Sequence, residues 1–197
     1  MFAPESRAMR DEVHGVELRR CTADIVEIAA RRGRARDLQS LANTRGLPLP
    51  AFGRFATAAE RLVLCVRPDR WLLLSPCAPA GATVTDWQAA CGGIGVAVDL
   101  SSGLTGFHLA GPATREVLAR TCRLDLDTDA FSAGRAAATI LAQVSAILVA
   151  LPSGLLLLTP STTARHFSEW LISAAQPFGF MRRPDLTVAD LHGRAGS

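Results

Sequence analysis

Apolar and polar residues alternate with period two through much of the chain. Ile94, Val96, Val98 and Leu100 interleave with Gly95, Ala97 and Asp99, which predicts a strand with one face on a core and one face open. Beyond Ser101-Ser102-Gly103, the residues Thr105, Phe107 and Leu109 interleave with Gly106, His108 and Ala110 and predict a second strand. Further strands are expected at 15–21, 24–30, 52–58, 61–66 and 70–76, with Pro68 suited to position i+1 of the turn between the last two. The apolar stretch at 144–160 is broken by Pro152-Ser153-Gly154. It reads as a buried hairpin, because a membrane span needs about 18 or more uninterrupted apolar residues.

Helical spacing is confined to short segments. "RARDLQSLANTRG" predicts a helix stopped by Gly46, and Thr85-Asp86-Trp87-Gln88 fits a capping box ahead of a helix stopped by Gly92-Gly93. Gly111-Pro112 predicts another helix start, with proline at its first position. Between 162 and 175, Ala164, Phe167, Trp170, Leu171 and Ala174 fall on one side of a helix. Periodicity is lost past Gly179, so 179–197 is expected to be a flexible tail and 1–14 a flexible arm.

The order of these elements repeats. Gly53-Arg54 recurs as Gly134-Arg135 after 81 residues, Ile28 as Leu109 after 81, Trp87 as Trp170 after 83, and Leu74-Ser75-Pro76 as Leu158-Thr159-Pro160 after 84. Offsets this constant imply two copies of one α+β unit, 15–93 and 94–178. The expected fold class is therefore α+β, with two ferredoxin-like units packed as one chain.

Composition narrows the chemistry. A chain of 197 residues with 49% hydrophobic content can bury a sizeable core without disulfide or metal staples. All 21 basic residues are arginine, and the absence of lysine excludes a G-x-x-x-x-G-K-[ST] phosphate loop and any Schiff-base mechanism. The absence of tyrosine removes phenolic acids and bases. Arginine pairs at 19–20, 31–32 and 182–183 are separated by acids, and the net charge is only +3, so no nucleic-acid partner is expected. Cys21, Cys65, Cys77, Cys91 and Cys122 contain no C-x-x-C spacing, which suits reduced thiols in the cytoplasm. His14, His108, His166 and His192 are too dispersed for a local metal signature, so no metal is expected. The first 15 residues lack the apolar core of a signal peptide.

No motif names a nucleophile. "GGIGVAV" at 92–98 places its glycines before a strand, whereas a dinucleotide fingerprint needs them between a strand and a helix. There is no G-x-S-x-G and no H-E-x-x-H. If Leu100 pairs with Thr105 in a hairpin, Asp99 and His108 become diagonal neighbours on one face, the nearest approach to an acid–base pair. Such neighbours lie roughly 7 Å apart, too far for a direct hydrogen bond between short side chains. A structural role is the simpler expectation for both.

Several short motifs in fixed order carry a family resemblance: V-D-L-S at 98–101, L-A-G-P at 109–112, L-D-L-D at 124–127, A-F-x-x-G-R at 130–135, the closing hairpin, and E-W-L at 169–171. In these features the chain resembles the gamma subunit of heterotetrameric sarcosine oxidase, over about residues 15–178. That family is similar in turn to the folate-binding aminomethyltransferase fold, which also forms the N-terminal domain of a tRNA-modification GTPase. In the folate enzymes a strand like V-I-D-D-L-I-V supplies the aspartate that supports aminomethyl transfer. The matching stretch here is "QVSAILV" at 143–149, where Ser145-Ala146 replaces the acids, and the nearest acids in sequence pattern, Asp129 and Glu169, fall on other elements.

The resemblance implies a non-catalytic subunit of a flavoenzyme that oxidatively demethylates sarcosine or a related N-methyl amino acid. It further implies that this chain binds no cofactor, with FAD, FMN, NAD and tetrahydrofolate on the larger subunits and a small zinc-binding subunit beside them. A second reading is a stand-alone folate-binding protein that uses Asp99, His108 and Arg135 in its own groove. A third is a folate-fold module attached to another demethylase.

Overall fold

The computed structural model describes residues 15–191. The arm expected at 1–14, the last residues of the expected tail, 192–197, and with them His14 and His192, lie outside the described residues. The first repeat holds β1 (Val16–Thr22), β2 (Asp24–Ala30), α1 (Ala35–Thr44), β3 (Arg54–Ala58), β4 (Arg61–Arg67), β5 (Arg70–Ser75) and α2 (Ala82–Cys91). The second holds β6 (Gly95–Asp99), β7 (Leu104–Ala110), α3 (Thr114–Ala119), β8 (Ala136–Leu141), β9 (Val144–Leu151), β10 (Gly154–Pro160) and α4 (Ala164–Ala175). Two short strands follow, β11 (Phe180–Arg182) and β12 (Leu186–Thr187), and then a 3-10 turn at Val188–Leu191.

The two sheets share one strand order, and each takes in the first strand of the other half of the chain. One sheet runs β3-β4-β5-β2-β6 and the other runs β8-β9-β10-β7-β1, extended by β11. β6 is the repeat counterpart of β1, so each unit lends its first strand to the other unit's sheet. A boundary at 93/94 therefore does not divide the sheets. Repeat-related residues also meet each other: Arg54 and Arg135 form a β-bridge. Phe55 N–H donates to Gly134 C=O at 3.3 Å, and Ala136 N–H donates to Gly53 C=O at 3.0 Å. These two bonds are the same contact made in both directions, as a local two-fold axis requires.

Strand alternation turns each side chain either to the helices or to the facing sheet, and three cores result. Val26, Ile28, Val63, Cys65, Trp71 and Leu73 face Leu38, Ala42, Trp87 and Cys91 of α1 and α2. Phe107, Leu109, Leu148, Leu155 and Leu157 likewise face Val117, Phe167 and Leu171 of α3 and α4. Between the sheets Ile25, Leu62, Leu64, Leu72 and Leu74 meet Ala136, Val149, Leu151, Leu156 and Leu158. The result is four layers, helices outside and two sheets inside. The expected 144–160 hairpin is present as β9 and β10, and no helix among the described residues is long and apolar enough to cross a membrane.

Three local expectations are corrected. α2 starts at Ala82 behind Gly81, whose φ of 77° opens the turn, so Thr85 lies within the helix and forms no capping box. α3 starts at Thr114 with Ala113 as its cap, which leaves Pro112 ahead of the first turn. Residues 180–191 are not a flexible tail: β11 and β12 run parallel to β1, pairing Val16 with Phe180 and Cys21 with Leu186. Leu186, Val188 and Leu191 are buried against the core between the sheets. An unpaired strand edge and an open end of an apolar core supply the driving force that aperiodic sequence hides.

Candidate functional site

His108 sits on β7 with Arg19 opposite on β1 and Leu156 opposite on β10. Strand alternation turns Phe107 and Leu109 to the helices and His108 to the side facing the other sheet. There it lines a cleft of about 520 Å³ between β1, the β9–β10 turn and the C-terminal segment. Charged neighbours surround the mouth, among them Glu17, Arg19, Glu60, Asp185 and Asp190. The closing segment is held by Asp190, whose Oδ2 accepts from Thr187 N–H and Thr187 Oγ1–H, both at 2.8 Å. Arg183 is tied back to Glu17 at 2.7 Å.

The chemistry open to this cleft is set by the state of His108. Its Nε2 lies 3.2 Å from Ser153 Oγ, the reach of a nucleophile–base pair. Burial, and after it Arg19, lower its pKa to about 4, with Glu17 opposing only in part. An imidazole so poorly basic is nearly without driving force as a general base at neutral pH. Nδ1 is buried with no hydrogen-bond partner among the described residues, so no carboxylate orients the ring as the third member of a triad would. The Ser153–His108 contact ties the hairpin turn to β7.

The other sequence candidates do not join it. Asp99 ends β6, in the other sheet, because the chain crosses between sheets at residues 100–103 and makes no hairpin there. Its Oδ1 accepts from Ser101 N–H at 2.8 Å, and the hydrogen bonds from Ser101 hold its pKa below the usual carboxylate range. Ser101 Oγ in turn accepts from Ile25 N–H at 3.0 Å, so Asp99 organises the crossing. Arg135 is exposed at the start of β8, where its backbone bridges Arg54. Sequence reasoning missed Ser153, Glu17, Arg19 and Asp190; Ser153 was visible only as turn chemistry, and its approach to His108 depends on β10 lying beside β7.

At the position of the folate enzymes' acids, Ala146 is buried in the core under α4 and Ser145 is exposed on β9. Neither lines the cleft, so these residues do not fit catalysis on a bound folate. Buried thiols offer no alternative nucleophile, since burial pushes Cys21 up to about 12 and also raises Cys65 and Cys91. Among the described residues no three His, Cys, Asp or Glu side chains cluster as metal ligands would. A larger depression of about 930 Å³ lies over α2. Several of its polar groups are engaged, Arg45 with Asp86 and with the Trp87 ring at 5.0 Å, and Thr83 with Asp24, while the buried Ser75 Oγ has no hydrogen-bond partner among the described residues.

Comparison with known proteins places this architecture. Residues 32–176 match the model of the family described as sarcosine oxidase, gamma subunit. A curated relative from an Arthrobacter species, sarcosine oxidase subunit gamma, is 34% identical over 143 residues, which span 71% of this chain and 70% of that protein. Among solved structures, a chain of the heterotetrameric sarcosine oxidase from Corynebacterium sp. U-96, in complex with pyrrole 2-carboxylate, aligns with a TM-score of 0.73 and 30% identity. That match covers 83% of this chain and 85% of the other. Aminomethyltransferase T of the glycine cleavage system from Bartonella henselae aligns with a TM-score of 0.61 at 13% identity, over 88% of this chain and 48% of the enzyme, a likeness of fold alone.

Proposed function

Because the chain belongs to the sarcosine oxidase gamma subunit family, we propose that it serves as the non-catalytic gamma subunit of a heterotetrameric flavoenzyme that oxidatively demethylates sarcosine or a related N-methyl amino acid. The observation that carries the non-catalytic part is β9 itself: where the folate enzymes of this fold place an acid, this chain has exposed Ser145 and buried Ala146. Neither can hold a proton near a folate nitrogen. FAD, FMN, NAD and tetrahydrofolate would then reside on the larger subunits, with a zinc-binding small subunit completing the assembly in the cytoplasm.

The surface supports a packing role. β1 is flanked by β11 and β12, whereas its repeat counterpart β6 is an open sheet edge. Val96 and Val98 on β6 remain 46% and 47% exposed, and Phe52 is 66% exposed. Apolar side chains on an unpaired edge are what a partner chain covers in an obligate assembly.

The test is purification of the tagged chain from its native host grown on an N-methylated glycine, with flavin absorbance and the mass of every co-eluting chain recorded. Yellow material containing larger subunits is the expected result. A colourless chain eluting alone and saturable by tetrahydrofolate would instead establish the stand-alone folate reading built on Asp99, His108 and Arg135.

A further inference from the structure

The two repeats differ at one functional-looking place, where the strand after the exchange approaches the loop leading into the second helix. In the first unit Asp24 of β2 fills this place: its Oδ2 accepts from Ala78 N–H and from Thr83 Oγ1–H, both at 3.1 Å. Asp24 lies opposite Ser75 in the β2–β5 ladder, and Thr105 lies opposite Thr159 in the β7–β10 ladder. Ser75 and Thr159 are repeat mates, so Thr105 is the counterpart of Asp24 and the second unit lacks the carboxylate. By the offset that relates Trp87 to Trp170, Thr83 of α2 corresponds to His166 of α4, the neighbour of Arg165.

What replaces the acid is a basic groove. Thr105 Oγ1 and Ser161 Oγ, 3.1 Å apart, lie in the wall of an open groove of about 490 Å³. Arg20 from β1, Arg165 from α4 and Arg182 from β11 converge on it, and no acidic residue lines it. Arg165 meets Glu169 one helical turn away at 3.2 Å, with its side chain 92% exposed. Arg20 and Arg182 have no ion-pair partner among the described residues. Two unpaired guanidinium groups beside a third that meets only an exposed glutamate create a positive field that recruits an anion.

Resting on the subunit reading above, we propose that this groove receives a carboxylate side chain from an acidic segment of a partner subunit, the intermolecular counterpart of Asp24. Guanidinium forks match carboxylates in planar, bidentate geometry, and hydroxyls such as Thr105 and Ser161 can donate to the same group. The equivalent place in the first unit is taken by a protein carboxylate. The exposure of the three arginines suits a chain segment laid across the surface, because small-molecule sites bury most of their ligand.

The experiment compares the wild-type full chain with the triple variant Arg20→Gln, Arg165→Gln and Arg182→Gln, and with the corresponding Arg→Lys variant, each co-expressed with the flavin-containing subunits. Assembly is followed by native mass spectrometry over a salt series, with circular dichroism and thermal melting of each isolated chain as the folding control. The expected result is at least a tenfold loss of affinity for the glutamine variant, steepest at low salt, partial retention by the lysine variant, and unchanged melting. Equal assembly of wild type and glutamine variant would overturn the groove's role while leaving the subunit reading intact. Failure of the wild-type chain to assemble would overturn both. Saturation of the isolated chain by inorganic phosphate, with assembly indifferent to phosphate, would also overturn the proposal by showing a free-anion site.

Discussion

Single residues carry two consequences that can be measured on the isolated chain. His108 is held neutral in the fold with a pKa of about 4, against an ordinary 6.5, because burial and Arg19 disfavour its charged form more than Glu17 favours it. The unfolded chain takes up a proton near pH 6.5 that the folded chain refuses until about pH 4. Stability contributed by neutral His108 is therefore complete above pH 6.5, falls as the pH drops through this window, and is lost by about 3 kcal/mol at its acid end. Urea unfolding from pH 7 to pH 4 should show this slope in the wild type and a shallower one in His108→Leu; equal slopes would reject it. At the β9–β10 turn, Gly154 has φ of 141°, and a Cβ there would stand 2.1 Å from Leu109 C=O. Gly154→Ala should cost roughly 2–4 kcal/mol, read as a lowered urea midpoint with an unchanged m-value. The P-S-G turn was legible in the sequence, but the crowding was not. It arises because β7 packs against that turn, which no local pattern encodes.

At the scale of elements, alternation and turn chemistry place nearly every strand, but they do not always give the buried face: in β6 Gly95 and Ala97 are buried while Val96 and Val98, expected on the core, stay exposed at the sheet edge. Alternation does not record which sheet a strand joins. Ile94 to Leu100 and Thr105 to Leu109 look like the arms of one hairpin, and the chain between them crosses from one sheet to the other. Leu100 N–H bonds Ile25 C=O at 2.8 Å and Ser161 N–H bonds Gly103 C=O at 2.9 Å, so the two ends of the link belong to different ladders. For the same reason the expected Asp99–His108 neighbourhood does not form. The C-terminal segment escapes sequence reasoning differently. β11 and β12 are three and two residues long, too short for periodicity, and their stability comes from the edge of β1 and the core they cover. Each of Leu186, Val188 and Leu191 contributes roughly 1.5–3 kcal/mol by burial. Truncation after Gly179 should remove much of a net stability that is typically about 5–15 kcal/mol. Differential scanning calorimetry should find a Tm lowered by more than about 10 °C, or no cooperative transition. A truncated chain that melts like the full one would show that the segment only decorates the surface.

For the molecule as a whole, the chain shares the fold of aminomethyltransferase T, and under the proposed function it serves as a subunit without chemistry of its own. The repeat and the family likeness were both readable from short motifs in order, because the same positions that maintain the three cores maintain the motifs. The candidate site was not readable, because it is assembled from β1, β7, the β9–β10 turn and the C-terminal segment. Its one histidine has a lowered pKa and an Nδ1 unpartnered among the described residues. The measurement that tests the proposed role most directly is steady-state kinetics on the assembled oxidase carrying His108→Leu, Ser153→Ala, Asp99→Asn and Arg135→Gln in this chain, with subunit content verified by native mass. The kcat for sarcosine oxidation, per flavin, should remain within about twofold of wild type. A loss of about a hundredfold or more in kcat with the assembly intact, the scale of a removed acid or base, would contradict a non-catalytic subunit.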